Sequence, residues 1–143
     1  GDHIIKLNVD GNLNVIGVIQ RATGTNGHYA EIDVTGNSSA FNILQESLSE
    51  KQLFIDVTGN SNIIDVIQRD NSIKFADIKL TGNAHDVNIL QAGTGIHNAT
   101  IDLTYGSASS TVDLIQRGGS NQSYSLTQVC YDVGGCSVSL TQE

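Results

Sequence analysis

Residues 54–68 read FIDVTGNSNIIDVIQ. Apolar and polar side chains alternate through Ile55, Asp56, Val57 and Thr58, the pattern of a strand with one buried face. Gly59 and Asn60 then supply turn conformations that most residues disfavour. Beyond them Ile64, Asp65, Val66, Ile67 and Gln68 alternate again. The stretch is strand, tight turn, strand.

Working outward, the same phrase recurs along the chain, and a repeat of fixed period outranks any local signal. NVIGVIQ (14–20), SAFNILQ (39–45), NIIDVIQ (62–68), HDVNILQ (85–91) and STVDLIQ (110–116) align on their last residue, with Gln spacings of 25, 23, 23 and 25. Upstream of each lies KLNVDGN (6–12), EIDVTGN (31–37), FIDVTGN (54–60), DIKLTGN (77–83) or TIDLTYG (100–106). A looser sixth copy runs from YSLTQ (124–128) to VSLTQ (138–142). The units fall near 3–26, 27–51, 52–72, 73–98, 99–121 and 122–143, within a single domain spanning 1–143.

Register follows from cost. If Gln20, Gln45, Gln68, Gln91 and Gln116 point inward, so do Val18, Ile43, Val66, Ile89 and Leu114. Two residues earlier, Ile16, Phe41, Ile64, Val87 and Val112 join them. The other register buries Asn42, Asp65, Asn88 and Asp113, at several kcal/mol for each unpaired charge. From the first strand, Ile32, Ile55, Ile78 and Ile101 with Val34, Val57, Leu80 and Leu103 complete a thin core. Helices are excluded because Asn, Gly, Thr, Val and Ile dominate the repeats. The Leu-x-x-Leu-x-Leu phrase of a leucine-rich horseshoe is missing. The expected fold is all-β: a β-solenoid, or stack of β-arches, with about six rungs of 23–25 residues. At ~4.8 Å per rung it is a rod about 30 Å tall. The lack of Pro agrees, because a rung between two others uses every backbone donor.

Stacking sets equivalent residues above one another. The five Gln are expected to form an amide ladder of the kind that stabilises cross-β structure. Asn12, Asn37, Asn60 and Asn83 are expected to do the same at the turn. Ile19, Leu44, Ile67, Leu90 and Ile115 fall outward as a continuous apolar stripe. A neighbouring rod or the longer turn is expected to cover it. Asp33, Asp56, Lys79 and Asp102 read as a solvated face. Neither end of the repeat array shows a helical cap, so the rungs are expected to template further copies head to tail in an open filament.

These residues resemble the curlin repeat of bacterial curli fibres, which carries Gln-x-Gly-x-x-Asn followed by a short strand returning to Gln. Gln116, Gly118 and Asn121, leading to Gln128, are the nearest match; Gln20 through Asn26 and Gln91 through Asn98 are looser ones. The Thr-Gly-Asn phrase stands where curlins carry a Gln-containing turn. The resemblance implies secretion in unfolded form, nucleated assembly and a role in a biofilm matrix.

Other chemistries are discounted. A charge of −8 with seven Lys and Arg argues against nucleic acid and anionic lipid as partners. No apolar run approaches the ~18 residues of a membrane helix. The chain opens on Gly1, which fits removal of a secretory signal. Cys130 and Cys136, flanking a Gly-Gly turn in a secreted chain, are expected to form a disulfide. His3, His28, His85 and His97 show no metal-ligand spacing, and Lys51 and Lys74 separate the two that share a repeat position. No nucleophile elbow, phosphate loop or paired-carboxylate motif appears, so neither catalysis nor a cofactor is expected. The expected function is a structural subunit of a secreted, cell-surface, self-polymerising curli-like fibre. The alternative is a monomeric ice-binding solenoid using an outward column of Thr35, Thr58, Thr81, Thr104 and Thr127.

Overall fold

The computed structural model describes residues 3–21, 27–46, 50–69, 73–94, 96–106, 110–119, 121–130 and 136–143, with backbone alone for 105, 106 and 128–130. Twelve strands alternate between two parallel sheets. Sheet A holds β1 (His3–Asp10), β3 (His28–Thr35), β5 (Lys51–Thr58), β7 (Lys74–Thr81), β9 (His97–Gly106) and β11 (Gln122–Cys130). Sheet B holds β2 (Val15–Arg21), β4 (Ala40–Glu46), β6 (Ile63–Gln68), β8 (Asp86–Gln91), β10 (Thr111–Gln116) and β12 (Ser137–Gln142). Each strand pairs with the equivalent strand one coil away, so the chain is a β-solenoid with two strands per coil.

The register is like on like. Ile32, Ile55, Ile78 and Ile101 pair in succession, and so do Gln20, Gln45, Gln68, Gln91 and Gln116. Gln142 continues the second column. Every core residue expected from the sequence is buried, with Ile32, Ile78 and Ile101 at 0% and Ile16, the most accessible, at 6%. A further inward column, Ala30, Leu53, Ala76 and Ala99, fills the interior of sheet A.

The tight turns are part of the stack. Gly36, Gly59 and Gly82 take φ of 157°, 147° and 135°. A Cβ on them would lie 1.6, 1.8 and 1.8 Å from the carbonyl oxygens of Gly11, Gly36 and Gly59. Only glycine lets one turn settle this closely on the one before it. The amides of Gly36 and Gly59 donate to the carbonyls of Thr58 and Thr81, both at 2.8 Å, extending the sheet around the corner. The left-handed residue of each turn is Leu13, Ser38, Ser61 or Ala84, with φ of 57–61°, and not the preceding Asn. The Asn is thereby left to bond along the stack.

The outward columns also repeat. Thr35, Thr58, Thr81 and Thr104 stack in register, but Thr127 pairs with Asp102 and sits in the acidic column. The five-high threonine column expected from the sequence is therefore four high. The register of β11 shifts between Gln128 and Cys130, so the last coil does not repeat the spacing of the others.

Candidate functional site: stacked ladders and the outer face of sheet B

The interior of the coil is apolar only in its middle. Both narrow ends are polar, and each is organised as a column.

At the long-turn end lies the glutamine column. All five Gln are at most 2% exposed, as the chosen register requires. Gln20 Nε2 donates to Gln45 Oε1 at 3.0 Å, and Gln45 Nε2 donates to Gln68 Oε1 at 3.2 Å. Beyond Gln68 the pattern changes. Gln68, Gln91 and Gln116 each donate across the interior to a carbonyl of the next coil, that of Phe75, Asn98 or Ser123, at 3.3, 3.3 and 3.1 Å. Among the described residues Gln91 Oε1 and Gln116 Oε1 accept no hydrogen bond. The amide-to-amide ladder therefore runs for two steps and not the full column. The remaining Gln side chains tie sheet B to sheet A instead.

Beside the glutamines, His28, Lys51, Lys74 and His97 form a second inward column, buried to 0–1% exposure. Lysine is almost never fully buried without compensation, and both lysines here are engaged by other groups. Burial, then the charge of Lys51, then His3, holds His28 below the usual imidazole range. Burial and Lys74 do the same for His97, whose Nε2–H donates to the Gly93 carbonyl at 2.8 Å. Two neutral imidazoles flanking two lysines keep this column from carrying four like charges.

At the tight-turn end, Ser39, Asn62, His85 and Ser110 are buried, and Asn14 heads the same column. The Ser39 amide donates to Asn62 Oδ1 at 2.9 Å, Asn62 Nδ2 approaches His85 Nδ1 at 3.5 Å, and the His85 amide donates to Ser110 Oγ at 3.1 Å. Burial pushes His85 down to about 4. Sequence reading missed this column as a ladder. Its signal was present, because each member lies six residues before a ladder Gln and an even separation keeps both on one face of a strand.

Outside the corner, the asparagine ladder expected from the sequence is in place. Asn37, Asn60 and Asn83 each donate through backbone N–H (2.7–2.8 Å) and through Nδ2 (3.0–3.1 Å) to Oδ1 of the Asn one coil earlier.

The outer face of sheet B carries the apolar stripe. Ile19 is 65% exposed, while Leu44, Ile67, Leu90 and Ile115 are half-buried by their neighbours in the column. Beside the stripe runs a column of short residues, Gly17, Asn42, Asp65, Asn88, Asp113 and Ser139. Stripe and short column together make an open groove of about 640 Å³ lined by Asn42, Asp65, Ile67, Leu90, Asp113 and Ile115 among others. The outer face of sheet A is polar by comparison, with Lys6–Glu31 at 2.6 Å and Lys79–Asp56 at 3.1 Å. Among its aromatics Tyr29, Phe54 and Phe75 stack at centroid distances of 5.6 and 5.5 Å.

Among the described residues no group of three or more His, Cys, Asp or Glu side chains is arranged to hold a metal ion, and no helix is long and apolar enough to cross a membrane. The side chain of Cys130 lies outside the described residues, and Cys136 is not a free thiol. No family model, curated protein or solved structure matches this chain.

Proposed function

We infer that this protein is a structural subunit that polymerises into a curli-like, secreted extracellular fibre. The observation that carries the reading is the like-on-like parallel register of both sheets. In such a stack each coil presents the next with the same backbone edge, ladders and apolar columns, so a coil from a second molecule continues it without a new design. Two details support this. Gln20 Oε1, on a residue 2% exposed, has no hydrogen-bond partner among the described residues and occupies the acceptor position of the ladder. Val138 and Leu140, in register with buried Val112 and Leu114, stay 39% and 43% exposed on edge strand β12. An unpaired edge with apolar side chains is a template for pairing.

Resemblance to curlin repeats supports the secreted, biofilm-matrix setting. In that oxidising setting a Cys130–Cys136 disulfide closes the link between β11 and β12. Alkylation and mass measurement with and without reductant test it. The ice-binding alternative rests on the four-high Thr column, whose neighbouring outward column is the charged Asp33, Asp56, Lys79 and Asp102. A charged partner column orients water poorly for an ice face.

The experiment is negative-stain microscopy of purified protein at neutral pH, with elongation followed by light scattering. Thin unbranched filaments are expected, growing more slowly for Gln68→Ala than for the outward change Thr58→Ala. A sample that stays dispersed, or that shows thermal hysteresis lost in Thr58→Ala, overturns the fibre reading.

A further inference from the structure

The groove on the outer face of sheet B has a shape and a charge pattern that select its occupant. Three columns matter. The ridge is Ile19, Leu44, Ile67, Leu90 and Ile115. On one side of it, two residues back along each strand, lie the short residues Asn42, Asp65, Asn88 and Asp113. On the other side, two residues further on, stand Arg21, Glu46, Arg69, Ala92, Arg117 and Glu143, held in line by strand pairing and by the backbone bonds of 69, 92, 117 and 143. Each flanking column is about 7 Å from the ridge.

We propose that this face binds the same face of a second copy, with the two rods side by side, parallel, and related by a two-fold axis along the rod. That operation lays ridge on ridge at matching coils and sets each long flanking column over the partner's short one. Arg69 then meets Asp65 of the other copy and Arg117 meets its Asp113, while Glu46 meets Asn42 and Glu143 meets Ser139. No like charges oppose one another. The long side chains enter the groove that the short column leaves open.

The other face-to-face arrangement, antiparallel about an axis along the strands, is disfavoured by the same columns. It opposes Arg21 to Glu143 and Glu46 to Arg117, which is attractive. But it sets the short columns against each other, leaves the groove hollow, and covers Asp65 and Asp113 with Asn88 and Asn42 and no cation. Covering a carboxylate without a compensating charge is strongly unfavourable. The area suits a pair that gains from repetition. Facing sheets of about 20 Å by 29 Å bury on the order of 1,200 Å² in total, the lower end for a stable specific interface. Paired rods that also lengthen would add such area with every subunit. The pairing needs only the rod, so it does not rest on the fibre reading.

The test uses Leu44→Cys and Ile115→Cys, each made separately at outward-facing ridge positions, with a short bis-maleimide and peptide mapping by mass spectrometry. The two positions are three rungs apart, about 14 Å, beyond the reach of the reagent within one antiparallel mismatch. Parallel pairing predicts dimers linked 44 to 44 and 115 to 115 in the separate samples. Products linking 44 to 115 only, in the mixture, overturn the parallel geometry. Absence of linked products, with the wild-type chain sedimenting as a single 15.2 kDa particle at every concentration, overturns the pairing itself. Ile67→Lys gives an independent reading: it should return the pair to single rods with an unchanged circular dichroism spectrum. Filaments one rod wide would sink this inference and leave the fibre reading standing; linked pairs without filaments would do the reverse.

Discussion

Gln45 and Gln116 are the same residue type in the same column, both 0% exposed, yet their bonding differs, and that difference predicts unequal losses. Gln45 accepts from Gln20 at 3.0 Å and donates to Gln68 at 3.2 Å. Gln45→Leu keeps the volume but removes both bonds and leaves Gln68 Oε1 buried without its donor. Gln20 keeps a second acceptor, the Tyr29 carbonyl at 3.3 Å. Two net bonds at about 1 kcal/mol each, plus about 1–3 kcal/mol for the orphaned oxygen, less about 1 kcal/mol from added apolar burial, give a loss of roughly 2–4 kcal/mol. In Gln116→Leu one bond, to the Ser123 carbonyl, is lost, and an oxygen that already lacked a partner is removed. The expected cost there is about 1 kcal/mol or less. Urea unfolding followed by far-ultraviolet circular dichroism, at a concentration too low for assembly, reads the difference. With a slope of about 2 kcal/mol/M, the Gln45 variant should shift the midpoint by about 0.5–1.5 M relative to the Gln116 variant. Equal midpoints would refute the ladder as a source of stability and reduce the column to simple packing.

Gly59→Ala should prevent the coils from stacking, because its Cβ would lie 1.8 Å from the Gly36 carbonyl oxygen, whereas Gly17→Ala meets nothing within 4 Å and should fold normally; solubility and circular dichroism of the two compare them. Ala84→Gly relieves a left-handed residue at φ 57° on an exposed corner and should raise stability by about 0.5–1 kcal/mol in the same urea assay. His85 has a folded pKa depressed from 6.5 to about 4, so the unfolded chain takes up a proton that the folded one refuses. The stability tied to a neutral His85 is complete above pH 6.5 and is lost progressively as pH falls from there through about 4. At pH 5 the loss is about 1–2 kcal/mol. His85→Asn, which copies Asn62, should flatten most of that dependence; an unchanged pH profile would exclude His85 as its source.

How much of this was legible in the sequence differs column by column. The Gln and Ile columns could be read because each repeats one side chain at one register, and burying Asp65 and Asp113 was too costly an alternative. Asn12, Asn37, Asn60 and Asn83 could be read for the same reason. The Asn14, Ser39, Asn62, His85 and Ser110 column escaped because its members differ chemically, although parity with Gln68 places Asn62 on the same face. Parity with Ile32 likewise places His28 inward, and so Lys51 and Lys74, but buried lysine is rare enough to look like surface. Where each Gln sends its hydrogen bond was not in the sequence at all. Gln20 and Gln45 reach the next Gln along the column, whereas Gln68, Gln91 and Gln116 reach a main-chain carbonyl of sheet A, and one residue type at one register does not distinguish the two. The slip opposite Gln128 and Cys130 puts the extra residue on β9, between Leu103 and Gly106, and its trace is Tyr105, which separates Thr104 from Gly106 where the repeats at 54–60 and 77–83 run straight from Thr to Gly.

The two polar columns explain why a core so uniform holds one register. A slip of two residues along a strand returns every inward side chain to the inward face, and in sheet B, Phe41 apart, Ile, Val and Leu are close enough in size that the apolar middle alone would lose little. The columns at its ends would not survive the slip. Moving one coil by two residues sets a Gln amide against Val66 or its equivalent, and withdraws Asn62 from the Ser39 amide. Each displacement leaves at least one buried donor or acceptor unpaired, at about 1–3 kcal/mol apiece. The exposed asparagine ladder adds a third point of reference, because its two bonds per step close only when one corner sits directly over the last. Apolar columns supply the adhesion between coils and the polar ladders supply the address. A surface with both properties admits a copy of itself in one alignment only, and that is what the proposed fibre requires in order to be ordered and not an aggregate.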